Sequence, residues 1–269
     1  MKLITSRDNA QYKELKQLAT SSQVRRKSGR TLLDGVHLCQ AFFQHIGEPE
    51  MCIVSESATT DHEVNALIAQ CEQRAVLCIS LPDNLYQTVS QVENGVGILF
   101  LIATPTPMLP AHITETSVAL DNLQDPGNLG SILRSAAAAG VKNVFCSSGT
   151  VLAWSPKVMR AGMGAHFLLN IYENVDLAKV LKDGKVPILA TSSHTTRTIY
   201  QSDLSDSVIW LFGHEGQGVS DELMSLATET VTIPQQAAIE SLNVAASAAI
   251  CFFEQVRQQL NTASSINSQ

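Results

Sequence analysis

The chain has 269 residues, of which 45% are hydrophobic and 16% charged, and its formal net charge is -7. This composition supplies enough apolar side chains for a folded core, and the length predicts one large or two modest domains. The absence of a run of about 18 apolar residues and of an apolar signal region argues against a membrane or exported protein. The six cysteines show no CxxC pair and no metal-ligand spacing. We therefore expect a cytoplasmic protein with buried, reduced thiols and no metal site.

Positive charge is concentrated in residues 1–30, which carry eight basic and two acidic side chains. The overall negative charge therefore does not exclude a nucleic-acid partner, whose phosphates attract basic groups. Arg25, Arg26 and Lys27, followed by Gly29 and Arg30, predict a flexible basic loop that approaches a phosphate backbone. A solvated helix face with an N-terminal tail is the alternative explanation.

The first hundred residues alternate between helix and strand patterns. Helices are predicted over 9–19, 36–44, 64–74 and 83–90, and strands over 51–55, 76–80 and 96–103. This alternation predicts a small α/β unit in which helices cover a sheet. Residues 104–110 then contain three prolines. Because proline removes backbone donors and favours extended conformations, this segment is the best candidate for a domain boundary.

Alternation resumes beyond the prolines. Strands are predicted over 117–120, 141–146, 167–172, 188–191, 208–212 and 230–233, and helices over 128–139, 156–163, 175–182, 221–227 and 241–260. Continuous apolar strands between helices are typical of a parallel sheet that is buried on both faces. Gly140 suits the left-handed position after a helix, and the polar residues 261–269 predict a frayed tail.

The first chemical motif runs from Asn128 to Arg134. Asp125 to Asn128 form a turn by composition, and the Asn128 side chain can cap the helix that follows. Arg134 lies in an otherwise apolar helix, where its planar guanidinium would be satisfied by a phosphate or a carboxylate. A solvent-facing arginine is the simpler alternative.

The second motif, Gly213-His-Glu-Gly-Gln-Gly218, directly follows a buried strand. Its three glycines predict close backbone approach or positive φ angles. Its spacing differs from the glycine patterns of dinucleotide and P-loop sites, and Glu215 would repel a phosphate. The loop therefore favours a ligand without phosphates that can carry positive charge.

The third motif combines Ile233-Pro234, at the end of a strand, with Glu240-Ser-Leu-Asn-Val244. Ser241 is a candidate cap for the last helix, which would explain it without any function. Asn243, predicted to lie inside an apolar helix, is harder to explain in that way.

With these motifs the chain resembles the SpoU-type (TrmH-like) RNA 2'-O-ribose methyltransferases of the SPOUT superfamily. The segment Leu32-Leu-Asp-Gly-Val-His-Leu38 is similar to the start of the family's N-terminal domain, although the family more often has Glu at the position of Asp34. The resemblance implies an α/β SPOUT catalytic domain with a parallel sheet and a deep trefoil knot, preceded by a small L30e/L7Ae-like α/β domain. It also implies bound S-adenosylmethionine and a homodimer.

The implied organisation is a basic extension over 1–30, an RNA-binding domain over 31–104, a linker over 105–112, a methyltransferase domain over 113–260 and a tail over 261–269. Residue by residue, the family pattern implies that the backbone at Gly213, Ile233 and Leu242 holds the cofactor. It implies catalytic or substrate-positioning roles for a second set of residues: Asn128, Arg134, Glu215, Ser241 and Asn243. The basic residues Arg25, Arg26, Lys27 and Arg30 are expected to contact RNA.

The role of Arg134 is open between activating the ribose hydroxyl as a base and stabilising a phosphate or developing alkoxide. A guanidinium stays protonated in proteins, which favours stabilisation. The chain departs from the family at His214, where Asn is common, and at Ala245, where Ser is frequent. His214 is interpreted as a tolerated loop variant, and Arg160 is assigned no role.

Two other function classes are weighed against RNA methylation. One is a catalytically inactive RNA-binding or assembly protein of the same fold, which the intact motif residues disfavour. The other is a small-molecule enzyme with a nucleotide in the glycine loop, which Glu215 disfavours. The two-domain layout with a basic extension favours ribosomal RNA over transfer RNA as the substrate.

Overall fold

The computed structural model describes residues 1–92, 95–236 and 241–266, with side chains described up to residue 262. In chain order, the strands are β1 Lys2–Leu3, β2 Arg30–Asp34, β3 Met51–Ser55, β4 Leu77–Leu81, β5 Ile98–Ala103, β6 Ser117–Leu120, β7 Asn143–Ser147, β8 Asn170–Val175, β9 Ile188–Thr191, β10 Ile209–Phe212 and β11 Glu229–Val231. The helices are α1 Ala10–Thr20, α2 Ser22–Ser28, α3 Val36–His45, α4 His62–Gln73, α5 Asp83–Tyr86, α6 Pro126–Ala138, α7 Pro156–Gly162, α8 Leu177–Lys182, α9 Asp221–Met224 and α10 Val244–Ile266.

The chain divides into two compact units. The first comprises Met1–Pro105 together with Trp154–Phe167, and the second comprises Thr106–Ala153 together with the chain from Leu168 onward. Residues 154–167 thus group with the first unit, although they lie within the range 113–260 that the sequence analysis gave to the methyltransferase domain. The domain boundaries themselves stay a prediction.

The first unit is built on a mixed sheet with the strand order β1-β4-β3-β5-β2, in which β5 runs antiparallel to β2 and β3. Helix α1 buries Tyr12, Leu15 and Leu18, whose spacing of three residues places them on one face. These side chains join a core with strand residues such as Ile53 and Leu101. The expected small α/β unit is therefore present in the structure.

The prediction of a flexible basic loop after residue 20 is wrong. Residues Ser22–Ser28 form α2, with Ser21 accepting at its start and Gly29 in the left-handed conformation at its end. Arg25 is buried, and its guanidinium donates to the Leu18 carbonyl at 2.6 Å. Short helices with few apolar residues give a weak periodic signal, which is why the sequence analysis missed α2.

Residues Trp154–Phe167 pack against β2 and α3 within the first unit. The Thr31 hydroxyl donates to the Trp154 carbonyl at 3.0 Å, and the Phe167 ring meets the Phe42 ring edge to face. The predicted strand over 167–172 therefore begins later, at Asn170, because the preceding residues Ala165–Leu168 form a 3-10 turn.

The second unit is built on an all-parallel sheet with the strand order β11-β9-β10-β6-β7-β8. The two central strands, β10 and β6, are buried throughout, as expected for a sheet covered on both faces. Helix α6 buries Leu129, Ile132, Leu133 and Ala136 on one face. This arrangement confirms the predicted parallel α/β fold, whereas the trefoil knot stays a prediction.

Several predicted helix bounds differ from the structure, among them those of α6 and α10. Helix α6 begins at Pro126 rather than Asn128, because proline fits the first turn, where its missing N–H would have no helical partner. Helix α10 begins at Val244 rather than Ser241. It also continues to Ile266, beyond the predicted end at residue 260.

Within the described part of the chain, no helix is both long and apolar enough to cross a membrane. The six cysteines are free and buried, as the sequence analysis expected.

Candidate functional site

The candidate site lies at the carboxyl edge of the parallel sheet in the second unit. Strands β6 and β10 are neighbours in register, with Leu120 paired to Phe212 at their last positions. The loops that follow these two strands are therefore adjacent. The Asp121 amide donates to the Phe212 carbonyl, and the Asp121 carboxylate accepts from the Ser220 amide at 2.9 Å. This edge is where ligands bind in open α/β sheets.

The glycine loop closes on itself between His214 and Gly218. The two residues exchange backbone hydrogen bonds of 2.9 and 2.8 Å. A Cβ atom at Gly213 would lie 2.1 Å from the Gly218 carbonyl carbon, so no other residue fits at position 213. Gly218 has a φ of +72°, which also favours glycine. The predicted positive φ is thus confirmed at Gly218, whereas the close approach at Gly213 is made to the loop's own backbone.

His214 holds the turn of this loop from inside. Its Nδ1 atom accepts from the Gly216 and Gln217 amides at 2.9 and 3.2 Å. Both donors are backbone N–H groups, so Nδ1 is the acceptor of this turn. A short asparagine side chain makes similar bonds to amides two and three residues ahead. His214 therefore has a structural part in the loop that the sequence analysis did not assign to it.

Glu215 joins the glycine loop to the loop after β6. Its carboxylate accepts from the Gln124 amide at 3.1 Å, the Asp125 amide at 2.9 Å and the Asn128 Nδ2 atom at 3.1 Å. Desolvation raises the pKa of Glu215, but the hydrogen bonds from Asp125, Asn128 and Gln124 together hold that pKa below its ordinary value. The carboxylate is therefore ionised at neutral pH and fixed in position.

Asn128 and Asn243 extend this network to the start of α10. The Asn243 Nδ2 atom donates to the Asn128 Oδ1 atom at 2.8 Å. The Asn243 Oδ1 atom accepts from the Ala245 and Ala246 amides, so Asn243 caps α10. Glu215, Asn128 and Asn243 form one chain of hydrogen bonds, which we call the Glu215 network.

Two capping predictions need correction. The side chain that caps α6 belongs to Asp125, which accepts from the Asn128 amide at 2.7 Å, and Asn128 itself lies inside the first turn. Asn243 rather than Ser241 caps α10, because the helix begins three residues later than predicted. Ser241 is exposed, and Leu242 is half-buried. Residue Glu240 of the same motif lies outside the described residues.

Ile233 and Pro234 lie just beyond the edge strand β11, which ends at Val231, whereas the sequence analysis expected a strand over 230–233 with Ile233 as its last residue. The neighbouring Gln235 has a buried Oε1 atom with no hydrogen-bond partner among the residues that the structure describes. A buried acceptor without a donor is costly, so a ligand with a donor group would stabilise it.

Arg134 is not part of the Glu215 network. It lies on the solvent-facing side of α6, opposite the buried face of that helix. Among the described residues it has no hydrogen-bond or ion-pair partner in its own chain. The structure thus brings together Asn128, Glu215 and Asn243 but leaves Arg134 outside that cluster.

The basic residues of the first unit differ in their exposure and in their contacts. Arg26 and Lys27 are exposed on α2, whereas Arg25 is buried. Arg30 lies in β2 and pairs with Glu14 and Glu50. Arg160, which was given no role, donates to the Gln91 carbonyl at 3.3 Å within the same unit.

The second unit offers groups that fit S-adenosylmethionine. The ionised Glu215 supplies negative charge for a cationic ligand, and the Gln235 Oε1 atom is an acceptor in need of a donor. The rigid glycine loop supplies closely spaced backbone groups. The described residues contain one group of potential metal ligands, which consists of Cys52, Cys71 and Cys78. This group belongs to the first unit.

The chain is similar to known proteins over most of its length. Residues 115–253 match the model of the SpoU rRNA Methylase family. An uncharacterised tRNA/rRNA methyltransferase of Synechocystis sp. is 33% identical and covers 95% of this chain and 94% of its own length. The 23S rRNA (guanosine(2553)-2'-O)-methyltransferase RlmP of Bacillus subtilis is 28% identical and covers 94% of this chain and 98% of its own.

Solved structures show the same similarity over nearly the whole chain. An AdoMet-bound rRNA methyltransferase from Sinorhizobium meliloti superposes with a TM-score of 0.83 at 25% identity, covering 95% of this chain and 97% of that one. An RNA 2'-O ribose methyltransferase superposes with a TM-score of 0.80 at 28% identity, covering 96% of this chain and 99% of that one.

Proposed function

Because the chain belongs to the SpoU rRNA methylase family, we propose that it transfers a methyl group from S-adenosylmethionine to a ribose 2'-hydroxyl of ribosomal RNA. The predicted fold class is confirmed: a mixed-sheet N-terminal part is followed by an all-parallel SPOUT domain. The relative from Bacillus subtilis is named for the methylation of 23S rRNA, which supports ribosomal over transfer RNA here.

The Glu215 network is the observation that carries this proposal. It joins all three sequence motifs by side-chain hydrogen bonds of 2.8 to 3.1 Å at one edge of one sheet. A site built from three separate chain segments must be positioned by the fold, and such preorganisation is what a transfer between two bound reactants needs.

S-adenosylmethionine supplies an electrophilic methyl group on a positively charged sulfur. In our proposal the backbone at Gly213, Ile233 and Leu242 holds its adenosine and methionine parts. Glu215 fixes the glycine loop and contributes negative charge near the sulfonium. Asn128, Ser241 and Asn243 are proposed to orient the ribose, because they lie on or beside the same network.

Arg134 is proposed to grip an RNA phosphate and to stabilise the alkoxide that develops as the hydroxyl loses its proton. Its guanidinium has five N–H donors and no partner among the described residues of its own chain, so these donors are available. Fixed positive charge at a developing oxyanion lowers the barrier for transfer. The proton leaves to solvent or to another group, since a guanidinium remains protonated.

A second copy of the chain is proposed to complete the site as a homodimer. Helix α10 exposes the apolar side chains of Phe253 and Leu260, seven residues apart, and the half-buried Ile250 lies three residues before Phe253. Phe253 and Leu260 are 49% and 63% exposed, which is unusual for large apolar side chains on one helix face. Because α10 packs against α6, the helix that carries Arg134, we propose that a partner seated on α10 also reaches Arg134.

The first unit is proposed to bind RNA outside the reaction centre. Arg26 and Lys27 are exposed and can contact phosphates, whereas the internal bonds of Arg25 and Arg30 make them unsuitable for that role. The six free, buried thiols support a reducing compartment, and we propose that the protein acts in the cytoplasm.

The proposal is tested by mapping 2'-O-methyl groups in total RNA from cells with and without this chain. We expect one or a few ribosomal sites to lose methylation and to regain it with the wild-type chain but not with Arg134→Ala. An unchanged ribosomal map with altered transfer RNA would overturn the substrate. A different result would instead indicate an inactive assembly protein. In that case the methylation map of all RNA is unchanged, and cells without the chain have ribosome assembly defects that the Arg134→Ala chain rescues.

A further inference from the structure

Three buried cysteines meet in the first unit, whereas the residues of the Glu215 network belong to the second unit. Cys52 in β3 and Cys78 in β4 are directly paired across these parallel strands. Paired residues on adjacent strands project to the same face of a sheet. Cys71 lies on the buried face of α4, two residues before that helix ends. A short turn, with Ala75 at a φ of +57°, then returns the chain into β4.

The three sulfur atoms have the spacing of a metal-ligand set. All three Sγ atoms lie within 4.8 Å of one another. Zinc–sulfur bonds are about 2.3 Å long, so three thiolates around one ion in a plane lie about 4 Å apart. The cluster therefore needs only small side-chain adjustments to close on an ion.

We propose that Cys52, Cys71 and Cys78 form a binding site for a soft divalent cation such as Zn²⁺ or Cd²⁺. Thiolates select soft ions and discriminate against Mg²⁺ and Ca²⁺, which prefer oxygen ligands. On binding, each thiol forms a sulfur–metal bond and releases its proton to solvent. A divalent ion with three thiolates leaves one net negative charge, whereas a monovalent ion would leave two in a buried place.

The fold determines how an ion would enter and what it would do. Cys52 and Cys71 are 0% exposed, whereas Cys78 is 4% exposed, so entry is expected on the side of Cys78. The bound ion would tie α4 and β4 to β3 and close two loops of the unfolded chain. The site would therefore stabilise the first unit without taking part in methyl transfer.

The test uses the reduced full-length chain, stripped of metal and titrated with Cd²⁺ while thiolate-to-cadmium charge-transfer absorbance is recorded in the ultraviolet. We expect saturation at one ion per chain. Cys52→Ala, Cys71→Ala and Cys78→Ala should each weaken binding at least about a hundredfold, more than loss of an outer partner does. The controls Cys146→Ala and Cys251→Ala remove buried cysteines of the second unit and should bind normally.

X-ray absorption of the Cd²⁺-loaded wild-type chain needs no variant and decides the matter if the cysteine variants fail to fold. Three sulfur neighbours would support the site. A shell of mainly oxygen or nitrogen, no saturable binding, or equal loss of binding in the controls would overturn it.

Discussion

Glu215 and Arg134 are both exposed charged residues of the second unit, yet their surroundings differ. The Glu215 carboxylate accepts three hydrogen bonds from its own chain, whereas Arg134 has no partner among the described residues. The bonds of Glu215 therefore hold loops of the site together, whereas the Arg134 guanidinium is available to a group outside the chain. A family motif alone does not distinguish these two situations.

The largest expected effect follows from replacing Arg134. Arg134→Ala should lower kcat by at least about a hundredfold, since it removes the charge that stabilises the developing oxyanion. Its affinity for S-adenosylmethionine and its Tm should not change, because the side chain has no described contact. Single-turnover methylation, calorimetry with the cofactor and thermal melting measure the three quantities.

Arg134→Lys is the matched variant, because it keeps the charge but loses the planar fork of donors. Near-normal turnover of this variant would contradict bidentate recognition of a phosphate.

Mixing inactive Arg134→Ala and Glu215→Gln chains should restore activity if the two residues act across a dimer. If subunit exchange is verified and methylation activity still does not recover, that arrangement is contradicted.

The opposite pattern is expected for Glu215. Glu215→Ala should weaken S-adenosylmethionine binding by about tenfold or more and lower the free energy of unfolding by about 1 to 1.5 kcal/mol, because three hydrogen bonds to the carboxylate are lost at a solvent-exposed position. Glu222→Ala, at an exposed position on α9, is the control and should change neither quantity. Equal effects of the two variants would show that the Glu215 bonds are not needed.

The pH dependence of stability separates Glu215 from an ordinary surface carboxylate. Because the folded-state pKa of Glu215 lies below its ordinary value of 4.5, its contribution to stability is complete above that value. The contribution is then lost as the pH falls through the lower folded-state pKa. The difference in unfolding free energy between wild type and Glu215→Gln should shrink over this acid range. A constant difference between neutral pH and pH 3 would contradict the lowered pKa.

A smaller effect is expected at Asn243. Its contributions to stability and to activity can be separated by two variants. Asn243→Ala should cost about 1 kcal/mol of stability, since α10 loses its cap. Asn243→Asp should retain most of that stability, because a carboxylate also caps, but it cannot donate to the Asn128 oxygen and should lose activity. Chemical denaturation and methylation assays distinguish the two contributions. Equal stability of the two variants would argue against the capping role.

The smallest effect is expected at His214. His214→Ala should raise the KM for S-adenosylmethionine several-fold with little change in kcat, because the glycine loop loses two of its internal bonds. His214→Asn should restore the KM, since asparagine can accept from the same amides. If asparagine behaves like alanine, the loop does not depend on this acceptor.

The sequence was most informative where burial dictates the pattern. Met51–Ser55, Ser117–Leu120 and Ile188–Thr191 have the predicted bounds, because a strand covered on both faces is a continuous apolar run between turn signals. The three motifs were expected to come together, and the register of β6 beside β10 explains why two of them do.

What the sequence did not predict depends on tertiary contacts. The order of the parallel strands places Glu215 against Gln124 and Asp125, and nothing in their spacing along the chain indicates this. Ser21 and Gly29 are recognisable helix-end signals around α2, but the cluster of basic side chains between them was interpreted as a loop. The meeting of Cys52 with Cys78 depends on strand register, which scattered cysteines do not reveal.

Methyl transfer in a purified system tests the central claim most directly. The wild-type chain is incubated with S-adenosylmethionine carrying an isotopic methyl label and with ribosomal RNA that lacks the modification, and the digested nucleosides are analysed by mass spectrometry. Our account predicts the label on the ribose 2'-oxygen of one nucleotide, and its absence with Arg134→Ala. Label on a base, or no label although the protein binds both S-adenosylmethionine and the RNA, would contradict it.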